Sequence, residues 1–264
     1  MRVALEIEFD GRQFAGSQIQ AGLRTLQGEL ARVVSAVVGE PILPRPASRL
    51  DQGVSSEAMP VDIEISRLPG QDHEVAKGLR SLGLGLAGDL PADITIRRLA
   101  LVPDGWLAQH HARAKTYRYQ VWVRGTKPVL ETRCWWVRQL DHPEWLQGLA
   151  DQLIGSRDLR TFACLRHDGS DEEEGARTIS AAVWQDRGGG RLEFRITGDG
   201  FLYKQIRGFV GAMIHVAKGR RPAADFAALI AGHGDIQRLG NLAPPEGLML
   251  ERVHFDPEPE WIVL

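Results

Sequence analysis

One short stretch, residues 48–55 (Ser-Arg-Leu-Asp-Gln-Gly-Val-Ser), has the residue types and spacing that chemistry requires. Its carboxylate, Asp51, stands two residues after Arg49 and two residues before Gly53, which predicts a turn. Residues 41–46 contain three prolines, which exclude a helix and favour a rigid, extended lead-in. A carboxylate in a loop fixed on both sides is well placed for catalysis. The ordinary alternative is an Asx-turn, in which Asp51 bonds its own backbone.

The composition of the whole chain limits the classes of protein to which this loop can belong. The 264 residues allow one large domain or two of ordinary size, and 43% hydrophobic with 25% charged residues is typical of a globular protein. The net charge of -2 gives no overall attraction to nucleic acid or membrane, so a basic surface must be local. Cys134 and Cys164 lack metal-site spacing, and we expect them to be reduced thiols in a cytoplasmic protein.

Membrane and metal classes are excluded on similar grounds. Residues 1–9 alternate apolar with acidic side chains, which does not fit a signal peptide. No apolar run has the length of a membrane span. The consecutive acids at 171–174 do not make a cation cage, so we expect a solvated loop there and no metal site.

Apolar periodicity predicts strand, helix, loop, strand, helix and strand in residues 1–105. The predicted strands are 3–9, 58–65 and 94–101, and the predicted helices are 26–37 and 73–86. Glu6 and Glu8 alternate with the apolar residues of the first strand, which predicts one solvent-facing side. This order is typical of a ferredoxin-like half, with room for an additional strand near Pro41.

Residues 106–264 repeat strands and helices in a similar order. The strand 112–123 alternates strictly, so Lys115 and Tyr117 share one face and Arg118 takes the other. The other predicted strands are 134–137, 177–184, 191–197 and 248–253, and the predicted helices are 145–153, 201–216 and 223–231. We therefore expect an α+β fold of two α/β halves, 1–105 and 106–264, with a cleft at their junction as the default ligand site.

A series of short motifs runs in order along nearly the whole chain. They are Phe9-Asp10-Gly11, Phe14-x-Gly16-x-Gln18-x-Gln20, residues 25–30, residues 48–54, Leu90-Pro91-x-Asp93-Ile94, Ala112-x-x-Lys115-Thr116-Tyr117-Arg118-Tyr119, residues 177–179, residues 200–211 and Ala243-Pro244-x-x-Gly247-Leu248. Each motif is weak alone. Together and in this order, they resemble the TruA-type tRNA pseudouridine synthases.

The resemblance implies a role for particular residues. Asp51 would be the catalytic carboxylate, Tyr117 the active-site tyrosine and Arg207 the cation paired with Asp51. Arg49 would face RNA and Leu248 would line the uridine pocket. The positive charges that we expect to contact phosphates are Arg49, Arg113, Lys115, Arg118, Lys204, Lys218, Arg220 and Arg221.

The resemblance also implies the fold and the partners. Two ferredoxin-like halves would share a mixed, mainly antiparallel sheet, with helices on one side and a central basic cleft. The protein would act as a homodimer on uridines of the tRNA anticodon stem-loop. It would need no cofactor and no metal.

The chain departs from the family pattern at several positions, among them Ser48 for glycine and Ser55 for histidine at the two ends of residues 48–55. Ser17 replaces a tryptophan, Leu50 and Gln52 replace threonine and alanine beside Asp51, and Gln109 replaces an arginine. Arg-Leu-Asp also occurs at the catalytic position of the RluA-type synthases, so Leu50 is compatible with activity. The departures bear on the RNA target more than on the chemistry.

The implied reaction suits these residue types. Pseudouridine formation breaks the N1–C1′ bond, turns the uracil and rejoins it through C5, so no cosubstrate is needed. Asp51 could add to the base or attack C1′, and the sequence leaves both routes open. A bidentate guanidinium from Arg207 would keep the carboxylate ionised and oriented. Tyr117 offers a flat face for a flipped uracil and a phenol for the proton at C5.

Two other classes of function remain open. One is a catalytically inactive RNA-binding paralogue of the same fold, which the changes at Ser17 and Gln109 favour. The other is a structural pair of ferredoxin-like halves that binds a protein partner. Salt-dependent RNA binding would separate the first two hypotheses from the third, and turnover would separate the enzyme from the paralogue.

Overall fold

The computed structural model describes residues 1–69, 74–165, 176–234, 236 and 242–264. By its own contacts the chain divides into unit 1, Met1–Arg113 with Met249–Leu264, and unit 2, Ala114–Leu248. The sequence-based halves, 1–105 and 106–264, stay a prediction, and the structure places residues 106–113 and 249–264 with unit 1. None of the helices in the described ranges is long and apolar enough to cross a membrane.

Strands and helices account for most of the described chain. The strands are β1 (Arg2–Phe9), β2 (Arg45–Pro46), β3 (Ser55–Glu64), β4 (Ile94–Val102), β5 (Ala112–Val123), β6 (Trp135–Val137), β7 (Gly155–Asp158), β8 (Ala176–Asp186), β9 (Arg191–Gly198), β10 (Leu248–Phe255) and β11 (Ile262–Val263). The helices are α1 (Leu26–Val38), α2 (Val75–Asp89), α3 (Ala108–His111), α4 (Trp145–Asp151), α5 (Gln205–Ala217) and α6 (Ala223–Ile230). The predicted α+β class is confirmed.

In unit 1 the strands form a mixed sheet in the order β11-β4-β1-β3-β10, with β2 paired to β3. The β10–β3 pairing is parallel, and β1 pairs antiparallel with both β3 and β4. The Thr25 hydroxyl caps α1 by accepting from the Gly28 N–H, as the sequence predicts for this helix start. β2 confirms the additional strand near Pro41.

The prediction that β1 has one solvent-facing side is wrong. Glu6 is buried and its carboxylate accepts hydrogen bonds from Arg98 at 2.8 and 2.6 Å. Arg2 is also buried and donates to Asp62 at 3.1 Å. Because these charges are paired, both faces of a central strand can be covered, and only Glu8 of β1 is exposed.

Unit 2 contains an antiparallel sheet in the order β5-β9-β8-β7, with β6 parallel to β5. The β8–β9 hairpin is confirmed, and its connection contains three glycines of positive φ, Gly188, Gly189 and Gly190. α5 is almost entirely buried and supplies much of the apolar core of this unit.

The predicted helix 201–216 begins later, at Gln205. Lys204 lies in a turn and has a left-handed backbone (φ 59°), so the helix cannot extend back through it to Phe201. α3, β7 and β11 were not predicted, because they are too short to establish a periodicity. The acidic stretch 171–174 lies outside the described residues, so its predicted loop and lack of a metal site stay predictions.

Candidate active site

Asp51 lies in a tight turn that leads directly into β3. The Val54 N–H donates to the Asp51 carbonyl at 3.2 Å, and Gly53 at the third position of this turn has φ +83°. Glycine is favoured at such a position because other residues are strained there. Gly53 and Val54 are buried, whereas Asp51 is half-buried. The turn therefore places the half-buried Asp51 directly before the buried residues that lead into β3.

A second loop, residues 10–17, holds the Asp51 loop (residues 48–55) from one end through Ser17. The Leu50 N–H donates to Ser17 Oγ at 2.8 Å, and the Ser17 N–H donates to the Leu50 carbonyl at 3.0 Å. Ser17 is only 1% exposed. Gly16 (φ +101°) allows this approach, since a Cβ there would lie 3.0 Å from the Leu50 carbonyl oxygen. One serine thus binds both backbone groups of the residue before Asp51.

The same second loop holds the other end of the Asp51 loop through Gly11. The Gly11 N–H donates to Ser55 Oγ at 3.0 Å. A Cβ at Gly11 would lie 2.0 Å from the Val54 carbonyl oxygen, a distance that no real side chain tolerates. The Asp51 loop is therefore fixed at both ends, whereas the prolines had indicated only the lead-in.

On β5 of unit 2, the predicted division of faces is present. Tyr117 is buried and meets Phe201 edge-to-face, with ring centroids 5.4 Å apart. Lys115 is half-buried on the same face, and burial lowers the pKa of its ammonium group to about 8. Arg118 points to the other face, where its Nε lies 3.9 Å from a carboxylate oxygen of Glu193. The strand therefore brings Lys115 and Tyr117 together and separates Arg118 from them.

Arg207, on α5, is anchored to the segment that precedes β10. Its Nε donates to the Ala243 carbonyl at 2.8 Å, and the Ala243 N–H donates to the Arg207 carbonyl at 3.0 Å. Arg207 is half-buried. This reciprocal pair fixes the direction of the guanidinium and excludes the ordinary alternative of a helix arginine that extends into solvent.

The segment 243–247 is in turn held by Tyr119, which was predicted to lie in the strand 112–123 and was given no role in the site. The Tyr119 hydroxyl donates to the Pro244 carbonyl at 2.8 Å, and burial raises the pKa of this phenol well above its usual value. A Cβ at Gly247 would lie 2.6 Å from Tyr119 Cζ, so only glycine fits. Leu248, 7% exposed, follows immediately. The signal in the sequence was the spacing Ala243-Pro244-x-x-Gly247-Leu248.

The predicted site residues are distributed over both units. Asp51 and Arg49 belong to unit 1, and Lys115, Tyr117, Arg118, Arg207 and Leu248 belong to unit 2. Arg49 is exposed. The roles of these residues and the pairing of Asp51 with Arg207 stay predictions. Within the described ranges, no group of three or more His, Cys, Asp and Glu side chains could hold a metal ion.

Comparison with known proteins defines the class. A family model described as tRNA pseudouridine synthase matches residues 149–256. The matched segment runs from α4 to the end of β10 and contains Arg207 and Leu248. The class of protein that the match indicates is therefore a pseudouridine synthase, an isomerase.

Full-length relatives name the family more closely. A tRNA pseudouridine synthase A from Lactococcus lactis subsp. cremoris (strain SK11) is 31% identical over 258 residues, 97% of this chain and 98% of that protein. The proteins of that name from Geobacillus kaustophilus (strain HTA426) and Stenotrophomonas maltophilia (strain K279a) are 32% and 33% identical, over 97% and 94% of this chain and 95% and 93% of their own lengths. The chain belongs to the tRNA pseudouridine synthase A family, as the motifs predicted.

Proposed function

We propose that this protein converts uridine to pseudouridine in the anticodon stem-loop of tRNA, with Asp51 as the catalytic carboxylate. The relatives that match it end to end are named tRNA pseudouridine synthase A. The observation that carries the assignment of Asp51 is the double attachment of its loop, through Ser17 at one end and Gly11 at the other. Such preorganisation is what a reacting carboxylate needs.

The reaction balances without a cosubstrate. The N1–C1′ bond of the target uridine breaks, the uracil turns, and a C5–C1′ bond forms. The proton on C5 then leaves and N1 gains one, so the product is an isomer of the substrate. Asp51 begins the sequence either by adding to the base or by attacking C1′ as a nucleophile, and both routes remain part of the proposal.

Arg207 is the proposed partner of the Asp51 carboxylate. A guanidinium keeps its charge at any physiological pH and offers a planar fork that matches two carboxylate oxygens. The bond from Arg207 Nε to the Ala243 carbonyl supports this role, because it leaves the terminal nitrogens oriented before substrate arrives. The guanidinium would keep Asp51 ionised and aligned for attack.

Tyr117 and Leu248 are the proposed walls of the uridine pocket. The target base must leave its stack, at a cost of roughly a few kcal/mol. The ring of Tyr117, held edge-on by Phe201, offers a face on which the uracil can stack. Its hydroxyl is the group that we assign to the proton at C5.

The proposed phosphate contacts are Arg49, Lys115 and Arg118. Arg49 is exposed beside Asp51, as a residue that faces RNA must be. With a pKa of about 8, Lys115 is charged below that pH and gives up a proton readily above it. Its contribution to RNA binding should therefore weaken as the pH rises through 8. The homodimer implied by the resemblance and the cytoplasmic location expected from the two cysteines belong to the same proposal. Sedimentation of the purified protein tests the dimer.

One of the two changes that favour an inactive RNA-binding paralogue, the change at Ser17, has another explanation. The change from tryptophan to Ser17 had suggested a degraded site. In the structure, however, Ser17 binds both backbone groups of Leu50 and is buried. A residue with this role supports an ordered Asp51 loop, which an inactive RNA-binding protein would not need.

The proposal is tested with unmodified tRNA transcripts. Wild-type protein is incubated with the transcripts, and pseudouridines are mapped by carbodiimide modification and primer extension. We expect new pseudouridine confined to the anticodon stem-loop. Pseudouridine elsewhere in the tRNA would contradict the stem-loop assignment alone. Tight, salt-sensitive binding without any product would contradict the enzyme and favour the paralogue.

A further inference from the structure

Unit 1 contains a pocket of about 210 Å³ beside the Asp51 loop, which we call the Gln109 pocket. Its walls come from five short segments of the chain. The lining residues are Ser17, Gln18, Gln27, Arg45, Pro46, Ser48, Arg49, Asp62, Leu107, Gln109 and His110. Ser17 and Gln109, two departures from the family pattern, therefore lie in one cavity.

The pocket has hydrogen-bonding capacity that the protein does not use. The side chains of Gln18, Arg49, Gln109 and His110 have no hydrogen-bond or ion-pair partner among the residues that the structure describes. Gln27 differs, because its Nε2 donates to the Pro44 carbonyl at 2.8 Å and its Oε1 accepts from the Ile19 N–H at 3.2 Å. The open groups are thus two amides, a guanidinium and an imidazole.

A buried carboxylate organises the base of the pocket. Asp62 is 1% exposed, and its Oδ2 accepts from Arg2 at 3.1 Å and from Arg45 Nε at 2.8 Å. Its Oδ1 accepts from the Ala108 N–H at 2.9 Å, which fixes the start of α3. Asp62 therefore positions the short helix that carries Gln109 and His110. Arg2 and Arg45 compensate the negative charge of Asp62. The charge of Arg49 therefore makes the rim of the pocket positive.

The size and the donor set favour a single nucleobase. Pockets for drug-sized ligands are larger, typically about 300–1,000 Å³. An amide side chain offers both donors and an acceptor, which matches the mixed edge of a base. Unpaired bases in RNA loops are bound in this way, by stacking on imidazole or guanidinium planes and by hydrogen bonds to their edges. A positive rim adds a contact for the adjoining phosphate.

We propose that the Gln109 pocket binds an unpaired nucleotide of the RNA substrate next to the target uridine. Gln18 and Gln109 bind the edge of its base and Arg49 binds its phosphate. This inference rests on the proposed function, since it takes the substrate to be tRNA. The connection is Arg49, which lines the pocket and stands two residues from Asp51, so that a neighbouring nucleotide is within reach.

The test couples a change in the protein to a change in the RNA. Each loop nucleotide of an anticodon stem-loop is replaced in turn by an abasic residue, and Kd is measured by filter binding. The protein variant is Gln18→Ala with Gln109→Ala, both of which are exposed positions. The matched control is Gln152→Ala, an exposed glutamine in unit 2 whose side chain bonds only the Gly148 carbonyl among described residues.

We expect one abasic position besides the target uridine to weaken binding to wild type by about tenfold, in line with the loss of a stacked base. The double variant should bind intact RNA about tenfold more weakly than wild type does. The same abasic substitution should then raise the Kd of the double variant by less than twofold. Gln152→Ala should behave as wild type. Equal abasic penalties in wild type and the double variant, or no penalty at any position, would overturn the pocket. Binding is read without turnover, so a failure of wild type to form pseudouridine would contradict the proposed function separately.

Discussion

Ser17 is the residue whose position most changes the interpretation of this chain. Its hydroxyl is the acceptor for the buried Leu50 N–H, and its own N–H binds the Leu50 carbonyl. The two residues are 33 positions apart, so no local pattern could reveal the bond. The sequence presented Ser17 only as a missing tryptophan. Asp51, by contrast, could be predicted, because its motif and its flanking glycine are contiguous.

Ser17→Ala tests whether this bond positions Asp51. The change leaves the buried Leu50 N–H without an acceptor, which costs about 1–3 kcal/mol of unfolding free energy. We expect kcat to fall by roughly 10–100-fold with KM little changed, because misplaced reacting groups lose rate rather than affinity. Denaturant titration and steady-state turnover measure the two effects. Ser66→Ala, an exposed serine whose hydroxyl donates to the half-buried Glu40, is the control. An unchanged kcat in a destabilised variant would mean that Ser17 is structural only.

Arg207→Lys tests orientation against charge. Lysine keeps the positive charge but loses the planar fork and the Nε bond to the Ala243 carbonyl. We expect the single-turnover rate to fall by roughly 100-fold, while tRNA affinity stays within a few-fold of wild type. The exposed Arg138→Lys, also in unit 2, is the matched control. A single-turnover rate equal to that of wild type would show that charge alone suffices.

Among the secondary-structure elements, local chemistry explains both what was predicted and what was missed. The Thr25 cap and the β8–β9 hairpin follow from neighbouring residues. The start of α5 does not, because Phe201–Lys204 are compatible with a helix and only the left-handed Lys204 excludes it. The covered side of β1 depends on Arg98, 92 residues from its partner Glu6. Pairings of that kind are invisible to periodicity.

Gly11→Ala tests the contact between the two loops around Asp51. The new Cβ would meet the Val54 carbonyl at 2.0 Å, so one loop has to move. We expect a loss of about 1–3 kcal/mol in unfolding free energy, as for overpacked sites, together with a large loss of turnover. Urea titration and tritium release from C5-labelled tRNA provide the measurements. Gly105→Ala, where a Cβ meets nothing within 4 Å, should leave both unchanged. Wild-type turnover in Gly11→Ala would refute the contact.

For the molecule as a whole, the α+β class could be predicted from the sequence, but the path of the chain between the two units could not. The predicted order of strands and helices held for most elements because each has its own periodicity. The return of residues 249–264 to unit 1 could not be predicted. It depends on the parallel β10–β3 pairing and on a bond from the Ser56 hydroxyl to the Leu250 carbonyl, 194 residues away.

The stability of the whole molecule in mild acid should depend on His215. Burial, followed by the charges of Lys218, Arg220 and Arg221, lowers the pKa of this histidine from 6.5 to about 4. Between these pH values the unfolded chain binds the extra proton and the folded chain does not. Unfolding free energy should therefore fall as the pH falls from 6.5 towards 4, by at most about 1.4 kcal/mol per pH unit from this group.

His215→Phe keeps a ring against Trp135 and removes the titration. We expect the variant to lose less stability than wild type between pH 7 and pH 4.5 in denaturant titrations. His233→Phe, at an exposed position, is the comparison and should follow wild type. An identical pH dependence in wild type and His215→Phe would exclude His215 as the source.

The central claim is that Asp51 performs the chemistry. Single-turnover tritium release from C5-labelled tRNA is measured for wild type, Asp51→Asn and the control Asp104→Asn, whose side chain is 88% exposed. We predict that Asp51→Asn releases tritium at less than about one thousandth of the wild-type rate while it still binds tRNA, and that Asp104→Asn matches wild type. Release by Asp51→Asn within tenfold of wild type would contradict the account.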